Sequence, residues 1–273
     1  MKRSLWEKEW IDLQKREETY IRKHSKPASE GVLSKLQNVV PDGLQSKLEV
    51  AFVKAFQVVF EKGTGLIEKT YDKEKRRQDY EIAEYAARVR EDRRHVGAFR
   101  RRAAQCTRRN LLLSSVEGIG LGILGVGIPD IPLFVSVMCK SLYEISLSFG
   151  YAYDGAEERL FQLKLMETAL YSGQQMEQRD ADLNTMCQSM RGAKQRTEND
   201  TTRLGIQLDA QIRETAKALS DELLYAKFLQ GMPVVGAVGG ATDVTVLRRV
   251  TAYATLKYRR RYLLDRQLQQ ETQ

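Results

Sequence analysis

Three carboxylates stand in otherwise apolar sequence: Glu117, Asp130 and Asp243. A buried acid must be paired, hydrogen-bonded, metal-bound or neutral, so each is a candidate for chemistry as well as for structure. Asp130 and Asp243 each follow a Gly-rich apolar run and precede an apolar helical pattern. The structural role for such residues is helix N-capping, worth about 1 kcal/mol. The chemical alternative is a cation or proton site, or a hydrolase that works through Asp130 and Asp243 with a metal.

The other groups that could do chemistry are sparse. The two histidines, His24 and His95, lie in charged segments, with no GxSxG elbow to supply a nucleophile and no HExxH or His/Cys cluster to hold zinc. Gly120, Gly122 and Gly125 satisfy GxGxxG, but a dinucleotide site needs a strand before the glycines, and the lead-in from Ala103 to Glu117 reads as helix. No Walker A sequence occurs. Catalytic residues therefore stay unassigned, no cofactor or metal set is expected, and a non-enzymatic role is favoured.

Charge points elsewhere. With 44 Lys and Arg against 36 Asp and Glu, the net charge is +8 and the pI about 9.3. Between Asp92 and Glu117 no acid intervenes, yet Arg93, Arg94, Arg100, Arg101, Arg102, Arg108 and Arg109 do. A second cluster, Lys257, Arg259, Arg260 and Arg261, lies near the C-terminus. Such a distribution predicts an anionic partner: a membrane surface, a membrane protein complex or nucleic acid. No helix-turn-helix, zinc-finger or RRM signature supports a specific nucleic-acid target. The three cysteines, Cys106, Cys139 and Cys187, form no CxxC pair and predict a reducing compartment. The first twenty residues carry charges where a secretory signal needs an apolar core.

Helices must position these groups. Only five prolines occur, and long stretches lack any breaker. Trp6, Trp10, Leu13 and Tyr20 place one apolar stripe on a helix over 4–25, suited to packing on the body or lying at a lipid interface. Leu44, Leu48, Phe52, Ala55, Phe56 and Val59 give 43–61 a broad apolar face. Residues 70–109 read as a charged helical stretch with a thin seam of Tyr80, Ala83, Ala87 and Val89. Helix is predicted again over 154–171 and, through Met176, Leu183, Met186 and Met190, within 172–220.

Two unusual stretches, 111–151 and 228–264, echo one another: Gly118 aligns with Gly231, Gly127 with Gly240 and Asp130 with Asp243. Their uncharged runs, Gly118 to Pro129 and Phe228 to Thr242, fall short of the about 20 apolar residues of a spanning helix. Glycines four apart, Gly118 with Gly122 and Gly236 with Gly240, permit close helix packing, and interfacial lipid contact remains the alternative.

These segments resemble the EcsC protein family. The match lies in GVGIPDIPLF, in a following helix that ends SLSFGYAYD, and in MPVVGAVGGATD running into a basic helix, with the Trp-bearing N-terminal helix also fitting. The family takes its name from a gene beside a bacterial ABC transporter, and some members carry hydrolase or peptidase labels. The resemblance implies a helical protein near membrane transport machinery and supplies no catalytic residues; Asp130 and Asp243 match its motif carboxylates.

The expectation is an all-α, single multi-helix domain over 1–273. It has an amphipathic helix at 1–25, a fraying polar tail at 265–273 and the two Gly/Pro-broken segments meeting near its centre. The function expected is peripheral association with the inner face of a membrane, in the cytoplasm.

Overall fold

The computed structural model describes residues 4–24, 43–90, 92–121, 130–191, 201–229 and 241–271, with backbone alone at 111–121, 130, 201–204, 226–229 and 241–243. Among the described residues every regular element is helical, and the chain is an all-α domain. Of the Gly/Pro-broken runs expected at its centre, 118–129 and 228–242, residues 122–129 and 230–240 lie outside the described residues.

Helix α1 (Leu5–His24) opens with a capping box. Ser4 Oγ accepts from the Glu7 N–H at 3.1 Å, and Glu7 Oε2 accepts from the Ser4 N–H at 2.8 Å. Its apolar stripe packs on the body. Leu13 is fully buried, and Tyr20 stacks on Tyr253 with ring centroids 5.3 Å apart. Trp6 and Trp10 are half-buried beneath the guanidiniums of Arg266 and Arg260.

Helix α2 (Leu44–Val58) passes through a π turn (Val59–Gly63) into the short α3 (Thr64–Glu68). Its expected apolar face is the buried one, with Leu48, Phe52, Ala55, Phe56 and Val59 inside and Leu44 at the margin.

The stretch 70–109 is not one helix. It divides into α4 (Lys73–Val89), α5 (Arg93–Val96) and the first half of α6 (Ala98–Leu121). Asp92 makes the break: its backbone is extended and its carboxylate accepts from the His95 N–H at 2.9 Å, starting a new helix. Ala83 and Ala87 form the predicted seam with Tyr80 beside them, whereas Val89 is 63% exposed.

The interior is built on α7 (Asp130–Ser148), α8 (Ala156–Leu170) and α11 (Ala241–Glu271). Helix α8 is buried all round from Leu160 to Met166 apart from Lys164, and its polar Glu158, Gln162 and Glu167 are buried as well. That is why its sequence shows no single apolar face. Helices α9 (Gly173–Ser189) and α10 (Thr201–Leu229) flank it, with Met176, Leu183 and Met190 buried. Among the described residues Ile131–Ser148 alone is long and apolar enough to cross a membrane, but 72% of it is buried in protein, as befits a core helix.

Helix α7 ends where Gly150 takes φ 81°, and the Tyr151 N–H bonds back to the Ser146 carbonyl at 3.1 Å. A Cβ at Gly150 would lie 2.2 Å from the Tyr80 ring, so glycine is required by conformation and by space.

The polar tail expected from 265 is helical as far as Glu271. Along it Asp265 accepts from the Tyr151 hydroxyl at 2.7 Å, and Glu271 pairs with Arg191 at 2.9 Å.

Two outcomes follow for the docking of α1. Leu13→Ala should lower unfolding free energy by about 2–5 kcal/mol in urea titration, as for other fully buried leucines. Burial alone would raise the Asp12 carboxyl, but hydrogen bonds from Arg16 and Arg259 outweigh it and hold the group below the ordinary carboxylate range. The folded value lies below the unfolded one, so the stabilisation is complete above about pH 4 and is lost as pH falls through the folded value. The stability gap between the native chain and Asp12→Asn should therefore be widest near neutral pH and close on acidification.

Candidate functional site

A cavity of about 250 Å³ opens where α4, α6 and the end of α7 converge. Helix α4 supplies Arg76, Asp79 and Tyr80; α6 supplies Arg102, Cys106 and Arg109. Both sets fall at helical spacings of three and four, which puts each on one face of its helix. The cavity reaches solvent past Gln105 and Arg109, both exposed.

Its floor is a buried polar cluster. Arg76 Nη2 meets Glu144 Oε1 at 2.6 Å, and Arg76 Nη1 lies 2.7 Å from Cys106 Sγ. Glu144, 1% exposed, also accepts from the Asn110 side-chain amide. Burial pushes the Cys106 thiol up despite the neighbouring Arg76 guanidinium, so the sulfur is a protonated wall atom at neutral pH. At the rim Arg102 donates to the Asp79 backbone carbonyl, which fixes its guanidinium against α4.

The arginines singled out by sequence separate into three groups. Arg93, Arg94, Arg101, Arg108 and Arg109 are exposed, and no carboxylate among the described residues pairs with them. Arg101, Gln105, Arg108 and Arg109 share the outer face of α6, a stripe about 12 Å long at 1.5 Å per residue. Arg100 and Arg102 are half-buried, Arg100 lying 3.6 Å from Asp12. Arg259, Arg260 and Arg261 are turned inward and cannot join a surface for an anionic partner. Arg259 pairs with Glu9 and Asp12 at 2.6 and 2.8 Å, Arg260 with Glu17 at 2.5 Å and Arg261 with Glu158 at 2.8 Å. Lys257 of the same cluster is fully buried between Glu17 and Asp180, at 3.0 and 2.7 Å.

Of the candidate carboxylates, Glu117 lies within α6, Asp130 opens α7 and Asp243 is the third residue of α11. Their side chains lie outside the described residues. Among the described residues no group of three His, Cys, Asp or Glu side chains is placed to hold a metal ion.

The sequence profile of the EcsC protein family matches residues 7–263, from the first turn of α1 to deep in α11. The chain belongs to the EcsC protein family. No curated protein and no solved structure is a significant match to it. The EcsC match spans all the helices that line the cavity and all those that pair with α11.

Sequence reasoning did not single out Arg76, Asp79 or Glu144. Arg76 sits in the run KEKRRQDYE, where nothing distinguishes it from its charged neighbours. Glu144 did carry a signal, because it is the sole acid between Asp130 and Asp154. The logic applied to Glu117 applies equally to it.

Breaking this pair should be costly. Arg76→Met leaves Glu144 buried without its cation and should lower stability by about 3 kcal/mol, the low end for a buried pair because Arg76 keeps 22% side-chain exposure. Adding Glu144→Gln to Arg76→Met should recover most of that loss in the same denaturant titration.

Proposed function

We propose that this EcsC protein is a non-catalytic, peripheral membrane-docking protein that works alongside membrane transport machinery at the anionic, cytoplasmic face of a membrane. The observation that carries this reading is the arginine surface of α5 and α6, which no carboxylate among the described residues pairs with. Arg93 and Arg94 precede a helix whose outer face presents Arg101, Arg108 and Arg109. In sequence that helix runs on into LLLSSV and, past Glu117, the uncharged Gly-rich run to Pro129. A basic stripe feeding an apolar segment suits a headgroup boundary, where each Lys or Arg contributes about 1 kcal/mol. Arg259, Arg260 and Arg261 of α11 play no part in it, since internal carboxylates neutralise them.

Co-sedimentation with phosphatidylglycerol-containing vesicles tests the reading. Binding should be strong at low salt and weaken steeply as salt rises, because screening of exposed charge sets in within about 10 Å at 0.1 M. Arg101→Gln with Arg108→Gln should cut it by at least about tenfold, at about 1 kcal/mol per charge. Replacing the exposed Lys54 and Lys62 of the α2 side by glutamine should matter much less. Absence of binding at low salt overturns the proposal. Displacement of vesicles by short duplex DNA, at concentrations where free phosphate has no effect, would move the arginine surface to nucleic-acid binding.

A further inference from the structure

The cavity between α4, α6 and α7 differs from the outer stripe in being built. Arg76 is held by Glu144 and Cys106, and Arg102 by the Asp79 carbonyl, so two guanidiniums are fixed in place beside the space their residues line. Arg109 stands at the mouth, and no ion pair occupies it among the described residues. Guanidiniums with spare N–H groups in fixed orientation are the preferred recognisers of phosphate, and preorientation reduces the entropy lost on binding.

Size and charge narrow the ligand. A volume of about 250 Å³ is below the about 300–1,000 Å³ of pockets that enclose a whole small molecule. The space takes a headgroup rather than a complete nucleotide or an acyl chain. The lining residues are the cations Arg76, Arg102 and Arg109 and a single acid, Asp79, with Glu144 paired to Arg76. A carboxylate in an anion site repels a fully ionised ligand and accepts a hydrogen bond from one that keeps a proton. Phosphate monoesters, with a second pKa near 6, keep such a proton in part at neutral pH. Sulfate and phosphodiesters do not.

We infer that this cavity is a binding site for one phosphate monoester group, with Arg76, Arg102 and Arg109 as donors and Asp79 as the acceptor that selects the protonated form. The group is carried either by a soluble metabolite or by a lipid headgroup of the phosphatidic acid type. The site goes beyond the membrane reading and does not depend on it.

Titration calorimetry with inorganic phosphate, glycerol 3-phosphate and sulfate, on the full chain, tests this. The native protein should bind both phosphates saturably and sulfate at least several-fold more weakly. Arg109→Ala, an exposed position, should weaken phosphate binding by about tenfold, as loss of a hydrogen bond to a charged group does. Asp79→Asn should act in the opposite direction for sulfate, raising its affinity to that of phosphate. Vesicles of phosphatidic acid and of phosphatidylglycerol at equal surface charge separate the two sources. A phosphatidic acid preference that Arg109→Ala abolishes assigns the lipid headgroup, and glycerol 3-phosphate binding without that preference assigns a soluble ligand. Phosphate affinity equal to sulfate affinity in the native chain, no saturable binding, or binding unchanged in Arg109→Ala overturns the inference. Salt-sensitive binding to phosphatidylglycerol that still needs Arg101 and Arg108 would leave the membrane reading intact in that event.

Discussion

Helix α11 holds the molecule together through its cations. Arg249 meets Glu222 of α10; Lys257 meets Glu17 of α1 and Asp180 of α9; Arg259 meets Glu9 and Asp12 of α1. Arg260 meets Glu17, Arg261 meets Glu158 of α8, and Arg266 meets Glu84 of α4. One helix thus reaches a carboxylate on each of five others. The aromatic rings around it complete the arrangement, with the Arg261 guanidinium 4.1 Å from the centroid of Tyr151 and 4.6 Å from that of Phe161.

The energetic meaning of this seam lies in registry more than in net stability. Removing two charges from water costs several kcal/mol per ion, and attraction in the interior returns that only when geometry and hydrogen bonds are good. Here they are good: Lys257 has Glu17, Asp180 and Asn184 around its ammonium, and the Glu158 carboxylate accepts from both Arg261 and the Tyr258 hydroxyl. Sliding α11 by one residue would strand a fully buried lysine without a carboxylate. The seam therefore penalises wrong packings of α1, α8 and α9 far more than it rewards the correct one, and α1 in particular is docked by charge as much as by Leu13.

The same separation of charge shapes the surface. With Lys257, Arg259, Arg260 and Arg261 neutralised inside, the acid-free basic run that faces outward is that of α5 and α6, where no acid occurs for 24 residues between Asp92 and Glu117. Helix α6 carries both candidate anion contacts: its outer face bears Arg101 and Arg108, while Arg102 and Cys106 turn toward the cavity. Tyr80, pressed against Gly150 at the end of α7, holds the cavity wall to the core. Diffuse attraction and a discrete pocket are thus adjacent on one rigid element.

Local pattern was enough to establish the helical class, the apolar faces of α1 and α2, the buried Ala83 and Ala87, and membership of the EcsC family through its Gly/Pro motifs, because 3.6-residue periodicity and breaker residues act over a few turns. The break at Asp92 was not read, because 70–109 contains no proline and Asp92 looks like any other charge in that stretch. What sequence could not reveal was which charges meet. Arg259 and Arg101 look alike along the chain, yet one is buried against Glu9 and Asp12, about 250 residues away, and the other faces solvent. Nor does KEKRRQDYE announce that Arg76 alone reaches Glu144. Burial of a charge depends on a partner brought close by folding, and the coupling falls off within a few ångströms in space while being indifferent to distance along the chain. Tertiary structure alone therefore decided that the C-terminal basic cluster is internal glue and that the arginines of α4 and α6 enclose a cavity.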